Sequence, residues 1–137
     1  MQNQIPLTSL PNGSVLATTI YYGGIPFPHS GIIERTWKGP VVHQNSKKLG
    51  RAVTTSFEEF TEGNPAQVTY IPQSAAEGSL IVRRALNDVA RGIPWTVVDN
   101  CEDLVSRAVT GRNGSPTRKA LVGVGLFGLA LFFASRA

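Results

Sequence analysis

Cysteine is nearly absent from this chain: Cys101 is the single one in 137 residues. One sulfur excludes an internal disulfide framework. Histidine is almost as scarce, limited to His29 and His43. These ligand types suit zinc, but no close pair such as Cys-x-x-Cys is present, so no metal centre is expected. The N-terminus, Met1-Gln2-Asn3-Gln4-Ile5-Pro6, has neither a basic n-region nor an apolar h-region, and a secretory signal is not expected. With the lone cysteine, this favours a reducing, cytosol-facing body. There are no internal repeats. Acidic residues are in the minority, at 9 against 13 basic ones. Arg107, Arg112, Arg118, Lys119 and Arg136 all follow the cysteine, where only Glu102 and Asp103 oppose them. That excess flanks an apolar tail, so the expected partner is a membrane surface and not nucleic acid.

The tail runs from Ala120 to Ala134 without a polar side chain. As a helix it would reach about 22 Å, short of a hydrocarbon core of about 30 Å. Ser135 at its edge, with Lys119 and Arg136 snorkelling toward headgroups, brings a C-terminal anchor over residues 119–137 within reach. A buried core helix is the alternative. The run is apolar on all faces and bracketed by cations, which favours the membrane. The basic residues before it place the body on the cytoplasmic side. Gly123, Gly125 and Gly128 mimic a dinucleotide fingerprint, but no βαβ unit accompanies them. Small residues there suit close helix packing in lipid. No nucleotide or other cofactor is expected.

Upstream, the pattern is of strands and then helices. Residues 13–22 are rich in β-branched and aromatic side chains and are broken by Gly23-Gly24, Pro26 and Pro28. Residues 29–34 and 41–43 read as two further strands, a hairpin that would bring His29 and His43 onto neighbouring strands. Residues 66–71 read as another strand. The polar stretch between His43 and Ala66 reads as a long loop with a short turn around residues 57–60. Leu80, Ile81, Ala85 and Val89 recur at helical spacing over residues 77–91, as do Cys101, Leu104, Val105, Ala108 and Val109 in a second helix. The expected fold is α+β, a small antiparallel sheet packed with helices. Residues 1–12 form an N-terminal extension, and residues 13–118 the domain.

Cys101 falls in the first turn of its helix, which Asp99 or Asn100 can cap. Free N–H groups there favour negative charge and bias the thiol toward the nucleophilic thiolate. A cysteine and two histidines are the inventory of a nucleophile, a base and an orienting group, and point to cysteine-dependent acyl transfer. A lone cysteine is otherwise a small buried hydrophobe. Glu102 and Asp103 read as first-turn acids that complement the helix dipole. Trp37 and Trp95 read as packing or interfacial aromatics, and the Lys47-Lys48 and Arg83-Arg84 pairs as solvated surface.

Gly13–Leu16, His29-Ser30-Gly31-Ile32-Ile33, Val42-His43 and the run from Gly92 to Val105 containing Asn100-Cys101-Glu102 resemble the lecithin:retinol acyltransferase-like family. Its HRAS-like suppressor phospholipase/acyltransferases are relatives of NlpC-type papain-fold hydrolases with permuted order. Two features depart from the pattern. Asp103-Leu104 stands where the family has His-Phe, and the gap from His29 to His43 is long, which suggests a longer hairpin turn. The resemblance implies a permuted papain-like fold and a glycerophospholipid acyl donor, in a membrane-anchored enzyme working through a thioester. It implies Cys101 as nucleophile, His29 as general base and acid, and His43 as the residue that orients His29. The alternatives are an NlpC-type thiol peptidase or amidase, and a non-catalytic membrane or host-interaction protein that keeps the fold.

Overall fold

The computed structural model describes residues 6–96, 100–112 and 132–133. It is an α+β fold built on an antiparallel sheet. Strands β1 (Val15–Tyr22), β2 (Ile25–Thr36), β3 (Gly39–Ser46) and β4 (Arg51–Ser56) form a meander. Helix α1 (Phe57–Thr61) and strand β5 (Ala66–Tyr70) follow, then helices α2 (Ala75–Ala90) and α3 (Cys101–Thr110). The sheet order is β4-β3-β2-β1-β5-β6, where β6 is the two-residue strand Phe132–Phe133.

Each face of the sheet has its own core. One buries Leu10, Leu16, Ile33, Val42, Phe60 and Val68 under α1 and the N-terminal segment. The other buries Val15, Ile32, Ala52, Ile81, Leu104 and Val105 under α2 and α3. Successive strand residues alternate between the two, as Leu16 against Val15 and Ile33 against Ile32 show. Residues 6–12, read as an extension, contribute Leu10 to the first core. The start of α2 presses against Gly13, whose φ is +87°. A Cβ there would lie 2.6 Å from the Gly78 carbonyl oxygen, so glycine is what permits this approach.

The stretch expected as a loop between His43 and Ala66 holds β4 and α1 instead. Arg51-Ala52-Val53-Thr54-Thr55-Ser56 buries Ala52 and Thr55 on opposite faces, and threonine fits a half-buried pleated surface as well as a loop. The β2–β3 turn is not long either. Thr36 pairs with Gly39, leaving only Trp37-Lys38 between the strands, and the added length lies in the strands. Of the segment expected as an apolar anchor helix, residues 119–131 and 134–137 lie outside the described residues. Phe132 and Phe133 pair as strand with Gln67 and Ala66, at the open edge of β5, where aromatic residues are well suited to extended pairing. Among the described residues no helix is long and apolar enough to cross a membrane.

Candidate active site

Asn100 caps α3, its side-chain oxygen accepting the Glu102 N–H at 3.0 Å. Asp103 closes the reciprocal capping box by accepting the Asn100 N–H at 3.1 Å. Asp103 is therefore a buried cap that fixes the turn carrying Cys101. Asp99, the other candidate cap, lies outside the described residues.

Cys101 is the first residue of α3 and is buried. Its sulfur accepts the backbone N–H of Ser30 on β2. The β2–β3 pairing stops at Ile32 with His43, so Ser30, still paired with Ala17 of β1, lies beyond the part of β2 that β3 covers, where the helix tip supplies a sulfur as acceptor. N–H groups of Cys101 and Glu102 also face the sulfur. These donors favour thiolate, but burial outweighs them, and with the Glu102 carboxylate it pushes the thiol up to about 11. The expected bias toward thiolate is thus overturned: at neutral pH the sulfur carries its proton.

His29 shares a pocket of about 230 Å³ with Cys101, walled by Tyr22, Phe27, Pro28 and Trp95. A second pocket of about 210 Å³, toward α1, is also lined by His29, so the ring stands between the two. The Phe60 ring lies against the imidazole, with centroids 4.9 Å apart. Gly31 makes room for this support, because a Cβ there would meet Val42 at 2.5 Å and Phe60 at 2.9 Å. Burial lowers the His29 pKa, against the opposing effects of Gln44 and Glu62, so the ring is neutral at pH 7. Its Nε2 is hydrogen-bonded to Gln44 Oε1. The Gln44 amide nitrogen donates to Thr55 Oγ1 at 2.7 Å, which turns the amide oxygen toward the ring. Nε2 of His29 therefore carries the proton, and Nδ1 offers its lone pair. Among the described residues no hydrogen bond joins the imidazole to the thiol.

His43 is not the partner of His29. The hairpin register sets His43 opposite Ile32, three residues along from His29. An odd offset puts the two rings on opposite faces of the sheet, and the neighbouring Gln44 takes the place expected for His43. The His43 ring is enclosed instead, with Nε2 2.8 Å from Glu34 and Nδ1 2.7 Å from Thr54. Gln44 is the residue that sequence reasoning missed. Its only signal was the register, since it follows His43 directly.

Lys47 and Trp95, read as surface and packing residues, both line the Cys101 pocket, whereas Trp37 is 90% exposed at the β2–β3 turn. Among the described residues no group of three or more His, Cys, Asp or Glu side chains is placed to hold a metal ion. Comparison with protein-family models, with curated proteins and with solved structures finds no match.

Proposed function

We propose that the chain is a cysteine-dependent acyl hydrolase or acyltransferase with a permuted papain-like arrangement, taking its acyl group from a glycerophospholipid. The observation that carries this reading is the shared pocket of Cys101 and His29, with the His29 tautomer set by Gln44 and Thr55.

A protonated thiol beside a neutral imidazole calls for proton transfer during attack, not from a standing ion pair. His29 Nδ1 takes the Cys101 proton as the sulfur bonds to the ester carbonyl carbon. The charge that develops on the imidazolium is met by the Gln44 oxygen at Nε2. The carbonyl oxygen becomes an oxyanion beside the first-turn N–H groups of α3, which face the sulfur at rest. As the ester C–O bond breaks, His29 returns its proton to the departing oxygen and leaves a thioester on Cys101. Water, an amine or an alcohol then attacks the thioester with His29 as base, regenerating the thiol. The apolar run beyond residue 119 would serve as a membrane anchor only with Phe132 and Phe133 released from the edge of β5, and would then hold this pocket at the surface where such esters are concentrated, with the domain on the cytoplasmic side.

Intact-protein mass spectrometry after mixing with phosphatidylcholine vesicles tests this, beside a Cys101→Ser control. A fatty-acyl increment that hydroxylamine removes, absent from the control, is the expected result. Free fatty acid and lysolipid in the same tube would reveal fast hydrolysis. If neither thioester nor lysolipid forms, the phospholipid reading falls.

A further inference from the structure

Three aromatic rings converge on one cation at the mouth of the Cys101 pocket. The Lys47 ammonium lies 4.6 Å from the Phe27 ring centroid, 4.9 Å from Tyr22 and 5.3 Å from Trp95. Tyr22 and Phe27 meet edge to face with centroids 5.4 Å apart, which leaves their geometry fixed around the cation. The two come from the two sides of the β1–β2 turn, and Trp95 comes from the segment leading to α3. All four residues line the pocket that holds Cys101 and His29. A lysine whose role was only solubility would extend into water from this exposed position at the end of β3. Here its ammonium sits among π faces instead.

A cage of several rings attracts a cation through their quadrupoles, and the attraction is greatest for cations that shed water easily. An ammonium carrying three hydrogens holds its hydration tightly. A quaternary ammonium has no N–H groups to hydrate and presents methyl groups to the rings. It is therefore the better occupant of the same space. We infer that Tyr22, Phe27 and Trp95 form a subsite for a quaternary ammonium group beside Cys101, and that Lys47 fills it as an internal plug until such a ligand displaces it. This rests in part on the acyl-transfer reading, since a ligand whose ammonium sits in the cage has its ester end beside the thiol. The cage itself does not depend on that chemistry. The ammonium can belong to a lipid headgroup or to a free solute.

Calorimetric titration with choline, and with its uncharged isostere 3,3-dimethylbutanol, tests the cage on the full chain carrying Cys101→Ser, where turnover plays no part. Adding Lys47→Ala removes the plug and should tighten choline binding roughly tenfold, with the isostere, which lacks the charge, remaining the clearly weaker ligand. Adding Phe27→Leu to that variant keeps an apolar wall without a π face and should reverse the gain. The exposed Lys47 is not part of either core, and far-ultraviolet circular dichroism of each variant verifies the fold. If choline and the isostere bind the Lys47→Ala variant alike, the cage is only packing around a lysine and the inference is overturned. With the native cysteine, vesicles of phosphatidylcholine and of phosphatidylglycerol separate the two sources. Faster turnover of the choline lipid assigns the cage to a headgroup. Choline-selective binding with headgroup-blind turnover assigns it to a free solute. Selective binding with no turnover of either lipid upholds the cage and removes the acyl-transfer reading.

Discussion

His29 and His43 sit on neighbouring strands, are both buried, and both have pKa values pushed down by burial, yet their surroundings differ in kind. His43 has a partner at each ring nitrogen, Glu34 on one side and Thr54 on the other. Its hydrogen-bonding capacity is spent on holding β2, β3 and β4 together. His29 has one ring nitrogen bonded to an amide that is itself tied down, and the residue lines a pocket that it shares with a thiol. On the acyl-transfer reading proposed above, the ring with both nitrogens engaged serves structure and the ring with one nitrogen fixed and one unspent moves the proton. Residue type and burial do not distinguish the two.

The sharpest way to break this comparison is to remove each ring in turn. His29→Ala should lower turnover about 10²- to 10⁴-fold, the usual yield of a positioned base, with little loss of stability beyond the lost contact with Phe60. His43→Ala should do the reverse. It leaves a cavity between strands and a partly buried Glu34 without its partner, and should lower stability by about 2 kcal/mol or more while turnover of the folded protein changes a few-fold at most. Steady-state kinetics and denaturant melts on the two variants decide it. Equal losses of turnover would mean that His43 acts on the chemistry after all.

Gln44 gives a smaller and more specific effect. As a residue that acts through His29, it sets which ring nitrogen is protonated and does not meet the substrate. Gln44→Ala should lower turnover about tenfold by releasing the tautomer and leaving Nε2 unpartnered. Gln44→Glu keeps the shape and adds a carboxylate at Nε2, which stabilises the imidazolium. The acid limb of the rate profile should then move to higher pH. A merely structural glutamine would change stability in both variants and leave the position of that limb alone.

Much of this was legible in the residues, and the failures have a common cause. The β-branched and aromatic content of residues 13–22 and 29–34 and the three-four spacing in α2 and α3 located those elements, because strand-forming side chains mark the one and a single apolar face marks the other. The helix cap at Asn100 and the cysteine behind it were legible for the same local reason. Strand β4 was missed because Thr54, Thr55 and Ser56 carry its second half in polar residues, and their extended conformation comes from pairing with β3, which buries only Thr55 of the three. The assignment of His43 failed on register, a property of two strands and not of either sequence. A shift by an odd number of residues sends every side chain to the other face. Thiolate bias failed for a related reason, since the helix N-terminus is local while the burial that outweighs it is supplied by the pocket walls.

The smallest effect separates the histidines through stability and does not require activity. Both rings have folded-state pKa values below the ordinary 6.5, in each case chiefly by burial. Glu34 opposes that shift at His43, and Gln44 and Glu62 oppose it at His29. Above pH 6.5 both rings are neutral in the folded and the unfolded chain, and they give stability no pH dependence. As pH falls below 6.5 the unfolded chain takes up protons that the folded chain refuses, so the unfolded state is favoured and stability declines. Each histidine can contribute a slope of up to about 1.4 kcal/mol per pH unit until its folded pKa is reached. Urea melts between pH 7.5 and 5, followed by tryptophan fluorescence, should show this acid-side loss. His29→Gln and His43→Gln should each remove one proton's share of it, read as a shallower slope relative to the variant's own stability at pH 7.5. Stability that stays level down to pH 5 would mean that neither ring is held neutral by its surroundings. A slope that only His43→Gln relieves would place His29 in contact with water, and so change the picture of the pocket more than that of the sheet.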